Sequence, residues 1–392
     1  MFKKIIYIHF AEFYDYDSKR FGIKFFLKKK IKIENWDVTK IFTKLRLKKR
    51  KIKNIKTRIF ETKFFLEDAI KKINKHTIVI PIFDINNQTD FIFNFLNKYN
   101  ITWGRYNFER HPNSKIIFFN KILINLQNPI FFIKDKLSRL IRFILIKTNF
   151  KKIYNPHFEI ITKNLSKNFT TSFPIYAHSW AYDDFLNFNK TKKKYSNLNK
   201  QKYLLYIDEN VPYHIDSSIG GYKKKLCEKN IFYNEMNKFF LFLEKKYNTE
   251  VVIAGYPKTN FTQTKKNNFN NRKVIYGDTI SLVKNSSMVL QHNSTAVNYS
   301  VIFKKPILFV TSKNYLLHYQ ESILALAKSL GKIPINISKY YHINNNEPYV
   351  DKKRYKSYYK RYIKDNNLNL KLTTYQALYK NLPKIFYSIK NK

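Results

Sequence analysis

Cysteine is almost absent: Cys227 is the only one in 392 residues, so no disulfide closes within the chain and no cysteine metal site can be assembled. A reducing cytoplasm fits that usage. Glycine is held to 7 and proline to 11, a scarcity that gives weight to the glycines retained at strand ends. Acids are scarce beside bases, 27 Asp+Glu against 74 Lys+Arg, giving a formal net charge of +47. No apolar run approaches the roughly 18 residues of a membrane-spanning helix. The opening MFKKIIYIHFAEF is broken at His9 and Glu12, too early for a signal-peptide core, and reads as a first strand. The chain lacks GxxxxGK[ST] and GxGxxG, which argues against a P-loop enzyme and a dinucleotide fingerprint. It also lacks HExxH and GxSxG, the marks of a zinc protease and of a serine-hydrolase elbow.

What is present is a great deal of hydrophobic surface, 44% of residues with 17% aromatic, enough to fill two cores in a chain too long for one. The positive charge points first to nucleic acid or an anionic membrane. Abundant Lys, Asn, Ile, Phe and Tyr with little Gly and Pro is also the bias of an AT-rich genome. Roughly half of the excess charge is assigned to that drift, and the rest implies contact with an acidic surface. No compact nucleic-acid recognition motif accompanies it. Ile133, Leu137, Leu140 and Ile144 fall on one helical face, with Arg139 and Arg142 opposite and Lys147, Lys151 and Lys152 following. Such a helix either lies on an anionic leaflet or packs on its own domain.

Along the chain, residues 3–10 and 77–83 read as buried strands, 61–73 and 90–97 as helices, and 173–179 as a strand. The basic run 44–56 reads as solvated helix or loop. Apolar periodicity is lost over residues 187–202, which places a domain boundary there. Beyond it the alternation is clearer, with strands at 203–207, 250–254, 273–276, 288–290, 307–310 and 333–337 and helices at 231–246, 279–284 and 316–330. Ala296, Val297, Val301 and Phe303 form the core side of a helix between the strands at 288 and 307. Parallel strands with helical crossovers make a doubly wound sheet, whose ligands sit outside the carboxyl ends of the strands. The expected organisation is an α/β chain of two Rossmann-like domains, residues 1–190 and 200–338, with a helical tail, 339–392, packing back across them.

Polar clusters follow the strands at those ends. The first holds His178, Ser179, Trp180, Tyr182, Asp183 and Asp184. The second holds Asp208, Glu209, Asn210 and His214 and runs on to Gly220 and Gly221, a pair that lets backbone approach a ligand closely. The third has Gly255, Tyr256, Pro257 and Lys258, with Gly277 and Asp278 after the next strand. In the fourth, His292, Asn293, Ser294 and Thr295 stand before a helix that Asn293 or Ser294 caps, and the free N–H groups there seat a phosphate or carboxylate. Taken singly each cluster also reads as a turn, a cap or a satisfied histidine. Jointly a His with hydroxyls, a Lys and a Gly pair suit a nucleotide phosphate, and acids with a His suit a base acting on a sugar hydroxyl.

The segments YLLYIDENVPYH, AGYPK, VIYGDT and above all VLQHNSTAVNYSVIFKKPILFVT resemble the C-terminal nucleotide-binding domain of GT-B glycosyltransferases, in particular those of bacterial capsule and lipopolysaccharide synthesis. The resemblance covers residues 203–337 well and the first half by architecture, with YAHSWAYDDF as its best-defined piece. The acidic pair before Gly, the His-Pro pair and the double serine of polysialyltransferase-like enzymes are met in part by Asp208-Glu209-Asn210, Tyr256-Pro257 and Ser294-Thr295. The resemblance implies a cytoplasmic enzyme, peripheral on the anionic inner membrane, that moves a sugar from a nucleotide-sugar donor to a growing, lipid-linked glycan, with no cofactor, no metal and no specific nucleic acid. Asp183, His178 and Asp208 are then the catalytic candidates. Gly220, Gly221, Lys258, Gly277, Asp278, His292, Asn293, Ser294 and Thr295 fall on the donor side, and Trp180, Tyr182 and His214 on the acceptor side. The alternatives are another enzyme of that shape, a phosphopolyol or pyruvyl transferase or a sugar-nucleotide epimerase, or a basic nucleic-acid or membrane binder without catalysis.

Overall fold

The structure, a computed structural model, describes residues 1–10, 15–42, 55–83, 85–86, 88–108, 112, 137, 156–162, 173–190, 202–214, 225–256, 268–338, 343, 349–364 and 371–390. It divides into two compact units. Residues 1–109, 134–183 and 365–392 make the first, and residues 110–133 and 184–364 the second.

In the first unit β1 (Lys4–His9) pairs in parallel with β2 (Lys32–Asp37) and with β4 (Thr77–Pro81), and β2 pairs with β3 (Lys56–Ile59), in the order β3-β2-β1-β4. The central residues of β1 and β4 are Ile, Val and Tyr because both faces of these strands are covered. The two-residue alternation splits β1 between two cores. Ile5 and Tyr7 join α2 (Ile23–Lys28), while Ile6 and Ile8 join α4 (Lys63–Lys71) and α5 (Asp90–Lys98). Two further short helices, α1 (Asp15–Arg20) and α3 (Thr39–Phe42), precede α2 and α4. The edge strand β3 exposes Lys56 and Arg58, a cationic edge that resists pairing with another chain. A second parallel sheet, β5 (Gly104–Asn107), β6 (Phe158–Ile161) and β7 (Pro174–Tyr176), is tied to β4 by one parallel bridge between Val79 and Trp103. From β7 the chain enters α6 (Trp180–Lys190), and the division between the units falls inside that helix, between Asp183 and Asp184.

The second unit is built on a six-stranded sheet of order β10-β9-β8-β11-β12-β13 with every pair parallel. Its elements are β8 (Leu204–Ile207), α7 (Lys229–Tyr247), β9 (Val251–Gly255), β10 (Val274–Tyr276), α8 (Thr279–Asn285), β11 (Met288–Gln291), α9 (Val297–Ile302), β12 (Ile307–Thr311), α10 (Leu317–Ser329) and β13 (Ile335–Asn336). The first strand of the unit is central. Two strands are added on one side of it, and the chain then crosses to add three on the other, the doubly wound arrangement expected from the sequence. Leu205, Ile207, Val252, Ala254 and Val289 pack with Leu282 and Val283 of α8 on one face. On the other, Tyr206 meets Phe240 of α7 at 5.1 Å between ring centroids. The direction reverses between β8 and β11, and that is the switch point at which such sheets bind ligands.

After β13, α11 (Lys352–Tyr358) and the π-helical turn Tyr359–Ile363 lie on this unit, where Tyr355 Oη donates to the Lys305 carbonyl at 2.8 Å. The chain then returns to the first unit. Its last helix, α12 (Thr374–Lys390), contributes Ala377, Leu378, Leu382 and Ile385 to the core that holds Ile5 and Tyr7. The amphipathic helix expected around residues 133–144 lies outside the described residues except for Leu137, and so do residues 191–201 of the expected linker. Among the described residues no helix is long and apolar enough to cross a membrane, and no group of His, Cys, Asp and Glu is placed to hold a metal ion.

Candidate functional site

At the carboxyl end of β8 the chain reads Asp208, Glu209, Asn210, and Asn210 takes the left-handed conformation, φ 51°, from which a short 3-10 turn, Val211–Tyr213, departs. That turn points the two carboxylates to opposite neighbours. Asp208 accepts the Asn210 N–H at 2.8 Å and the backbone N–H of Tyr256, just past β9. Glu209 accepts the N–H of Asn293 at 2.7 Å and that of His292, just past β11, and the Tyr319 hydroxyl of α10 at 3.1 Å. The pair therefore stitches the central strand to β9 on one side and, across the switch point, to β11 on the other. Asp208 is 9% and Glu209 7% exposed. Burial pushes the Asp208 carboxyl up to about 6 against the pull of its two backbone donors, and pushes Glu209 up to about 8 despite the Tyr319 hydroxyl and two backbone donors. Burial raises both carboxyls, and it raises Glu209 further than Asp208. Two carboxyls whose environments separate them in this way are suited to opposite roles in proton transfer.

Aromatic side chains line the same edge. Tyr213 and Tyr276 expose their rings there, and His214 packs on Tyr256 with centroids 5.8 Å apart. The Tyr276 ring lies over Gly255, where any Cβ would stand 2.3 Å from it. Gly277 follows at φ +86° with open space around it, so the turn after β10 needs glycine for its backbone and leaves room at the edge. Asp278 then accepts the Ser281 hydroxyl at 2.8 Å in the first turn of α8.

The β11–α9–β12 unit, the most distinctive stretch of the sequence, differs in its detail from the expectation. His292 is fully buried among Tyr206, Phe232, Tyr315 and Tyr319. The Val310 carbonyl can only accept, so Nδ1, 2.8 Å away, carries the proton, and Nε2 accepts from the Tyr206 hydroxyl at 3.1 Å. Burial holds this imidazole down at about 4, neutral and with both nitrogens engaged. Its ring has nothing left for a phosphate. Neither Asn293 nor Ser294 caps α9, which starts at Val297. Ser294 Oγ accepts from Ala296 N at 3.3 Å, and the N–H groups of Val297, Asn298 and Tyr299 turn back to the carbonyls of Ser294, Thr295 and Ala296. Those tight bonds use the donors that the expected phosphate seat required. Thr295 is exposed.

The same unit carries an unmet polar demand of another kind. Both amide atoms of Gln291, together with Asn293 Oδ1, Asn298 Oδ1, Ser300 Oγ and Thr311 Oγ1, are buried without a hydrogen-bond partner among the described residues. Gln291 ends β11 opposite Phe309, so strand alternation sets it on the same sheet face as Thr311. Nearly all buried polar groups in folded proteins are bonded, and a concentration of exceptions marks a place where water or a ligand completes the structure. Sequence reasoning missed Gln291, for which adjacency to His292 was the available signal. It also missed Tyr319, for which there was none, and it left Glu209 out of the catalytic candidates although it adjoins Asp208.

In the first unit, Asp183 is buried and both its oxygens accept the backbone N–H of Thr374, at 3.0 and 2.9 Å, so the carboxylate caps α12. His178 is buried edge-on against Tyr182, centroids 4.8 Å apart, and its carbonyl accepts the Thr374 hydroxyl at 3.3 Å. These geometries make Asp183 an anchor of the last helix, with both its oxygens turned to Thr374, and tie the His178 backbone to the same residue. Trp180 stands at the start of α6. Gly220, Gly221 and Lys258 lie outside the described residues.

No family model and no curated protein sequence matches the chain. Solved structures that are similar include Phytolacca americana UGT2 complexed with UDP-2fluoro-glucose and pterostilbene (9% identity, 99% of this chain and 94% of that one, TM-score 0.47). They also include UDP-N-acetylglucosamine 2-epimerase from Rickettsia bellii (11%, 99% and 97%, 0.45) and S. aureus MnaA with UDP (12%, 82% and 86%, 0.42). At such identities and TM-scores the chemistry of this chain has to be argued from its own residues.

Proposed function

We propose that the chain is a nucleotide-sugar-dependent glycosyltransferase whose donor binds at the carboxyl edge of the second sheet. The observation that carries the reading is the buried Asp208–Glu209 pair at the switch point between β8 and β11, beside the orphaned polar groups of β11–α9–β12. Parallel doubly wound sheets take nucleotides at this place. The amides and hydroxyls there suit a nucleoside with its ribose, and the exposed rings of Tyr213 and Tyr276 suit a base or sugar face.

Asp208, ionised above about 6, is the base in this reading. The acceptor hydroxyl oxygen bonds the anomeric carbon while the bond from that carbon to the donor phosphate breaks. The nucleotide leaves with that electron pair, and the hydroxyl proton passes to Asp208. Glu209 holds β8 and β11 in register around it. Lys258, Gly220 and Gly221 are proposed for the donor phosphates on sequence grounds. A surface glycan as acceptor, a lipid-linked one at the cytoplasmic face of an anionic inner membrane, belongs to the same proposal and rests on the sequence resemblance and the net charge of +47.

Thermal unfolding with a panel of UDP, GDP, CMP and ADP and their sugars tests it. A nucleotide at about 100 times its Kd stabilises the fold by about 2.7 kcal/mol, and Asp208→Asn lowers turnover about 10²- to 10⁴-fold with nucleotide affinity retained. No response to any member of the panel sinks the reading. Epimerised donor in the absence of acceptor reassigns the same site to an epimerase.

A further inference from the structure

In the first unit the chain passes from β7 to α6 through Ala177, His178 and Ser179. Ser179 is half inside the helix, since its carbonyl accepts the N–H groups of Tyr182 at 3.0 Å and Asp183 at 3.2 Å. A serine at that position ordinarily turns its hydroxyl onto the first-turn N–H groups. Here Oγ is buried without a partner among the described residues, and the residue is only 7% exposed. The next residue repeats the pattern, for the indole Nε1 of Trp180 is also buried and unpartnered.

The surroundings hold these donors in place and add positive charge. Phe108 and Tyr106 pack on the Trp180 ring at 5.3 and 5.1 Å between centroids. The Arg20 guanidinium, from the end of α1, lies 4.4 Å over the same ring and 4.1 Å over that of Tyr16. Stacking between two rings fixes the plane of the guanidinium. The positive end of an eleven-residue helix faces the same place. The acid of that first turn, Asp183, is directed away onto the N–H of Thr374. A hydroxyl, an indole N–H, a fixed cation and a helix N-terminus, bounded by aromatic rings, are complementary to an anionic oxygen group carried on a sugar.

We infer that the β7–α6 junction binds the carboxylate or phosphate group of an acidic sugar, with Ser179 and Trp180 as its direct donors. That this sugar is the acceptor of the transfer rests on the glycosyltransferase reading; the anion site itself does not.

The chain has three tryptophans, so protein labelled with ¹⁵N at the indole nitrogens gives a readable spectrum, and Trp180→Phe identifies the resonance that matters. The probes are methyl glucuronide for the carboxylate, glucose 6-phosphate for the phosphate and methyl glucoside as the neutral control. The Trp180 resonance is expected to shift and saturate with one or both acidic probes and to stay in place with the neutral one. Which acidic probe acts tells the two sources apart. Ser179→Ala should weaken that probe by about 10- to 150-fold, with the Trp36 and Trp103 resonances unmoved as evidence of an intact fold. Equal response to the neutral sugar, no response to either acid, or full affinity in Ser179→Ala overturns the site. Saturable acid binding in a protein that turns over no nucleotide sugar leaves the site standing and removes the glycosyltransferase reading.

Discussion

Glu209 keeps its proton to about pH 8 because the surrounding protein replaces water poorly for the charged form. Between its ordinary value of 4.5 and its value of about 8 in the fold, the native state holds a proton that the unfolded chain has released. Stability therefore falls as pH rises through this window. Asp208, raised from 3.8 to about 6, acts in the same direction at lower pH, and His292, lowered from 6.5 to about 4, acts in the opposite one. From pH 6.5 to 8 Glu209 contributes most of the change, because the tails of Asp208 and His292 in that window are small and of opposite sign. Urea unfolding at fixed ionic strength should show the fold losing on the order of 2 kcal/mol from pH 6.5 to 8. Glu209→Gln, which keeps an oxygen for Asn293 N and cannot ionise, should flatten that dependence. An identical slope in the variant would mean that Glu209 is already ionised and that the acid–base contrast at the switch point is wrong.

At the scale of elements, α12 depends on one side chain from another helix. Asp183 of α6 caps its first turn, and without that cap the N–H of Thr374 is buried unmet. Asp183→Ala should cost about 1–2 kcal/mol in unfolding free energy and Asp183→Asn less, since the amide oxygen still accepts. Loss of turnover in Asp183→Asn by about 10²-fold or more, with stability intact, would instead restore Asp183 as a catalytic base. The same scale shows what local sequence carries. β1, β4, β8, β9, β11 and β12 are legible because strands buried on both faces require uninterrupted Ile, Val and Leu. β2 is not, because KIENWD sets Glu34, Asn35 and Asp37 among its apolar residues, and the ion pair of Glu34 with Lys4 at 2.8 Å joins it to a strand distant in sequence. β3 is a basic edge with little to bury. Of the site, Asp208 was legible as an acid at the end of a buried strand. Glu209 as a clasp was not, since Tyr319 lies 110 positions away. The lone histidine at a strand end looked like a ligand, yet Tyr206 and Val310 occupy both its nitrogens.

For the whole molecule the dominant property is the formal charge of +47. Charge of that size gathers anions from solution whether or not a specific partner exists, so affinity for an acidic surface alone does not separate a membrane-docking enzyme from a generally adhesive one. Apolar insertion does. Among the described residues, two places with exposed apolar side chains beside cations are candidates for insertion. One is Leu137, 55% exposed, in the sequence segment that predicts an amphipathic helix; the other is the start of α4, where Phe64 and Phe65 are 73% and 59% exposed next to Lys63. Each Lys or Arg near an anionic leaflet contributes about 1 kcal/mol, screened over a Debye length of about 8 Å at physiological salt, whereas an inserted ring or leucine is indifferent to salt. Sedimentation with anionic vesicles should therefore fall steeply as salt rises but level off above zero. Leu137→Ser with Leu140→Ser, or Phe64→Ser with Phe65→Ser, should abolish the residual binding at whichever place inserts, with nucleotide affinity unchanged. Binding that vanishes with salt and ignores both pairs of substitutions would reduce the membrane contact to bulk electrostatics and leave the lipid-linked acceptor without support.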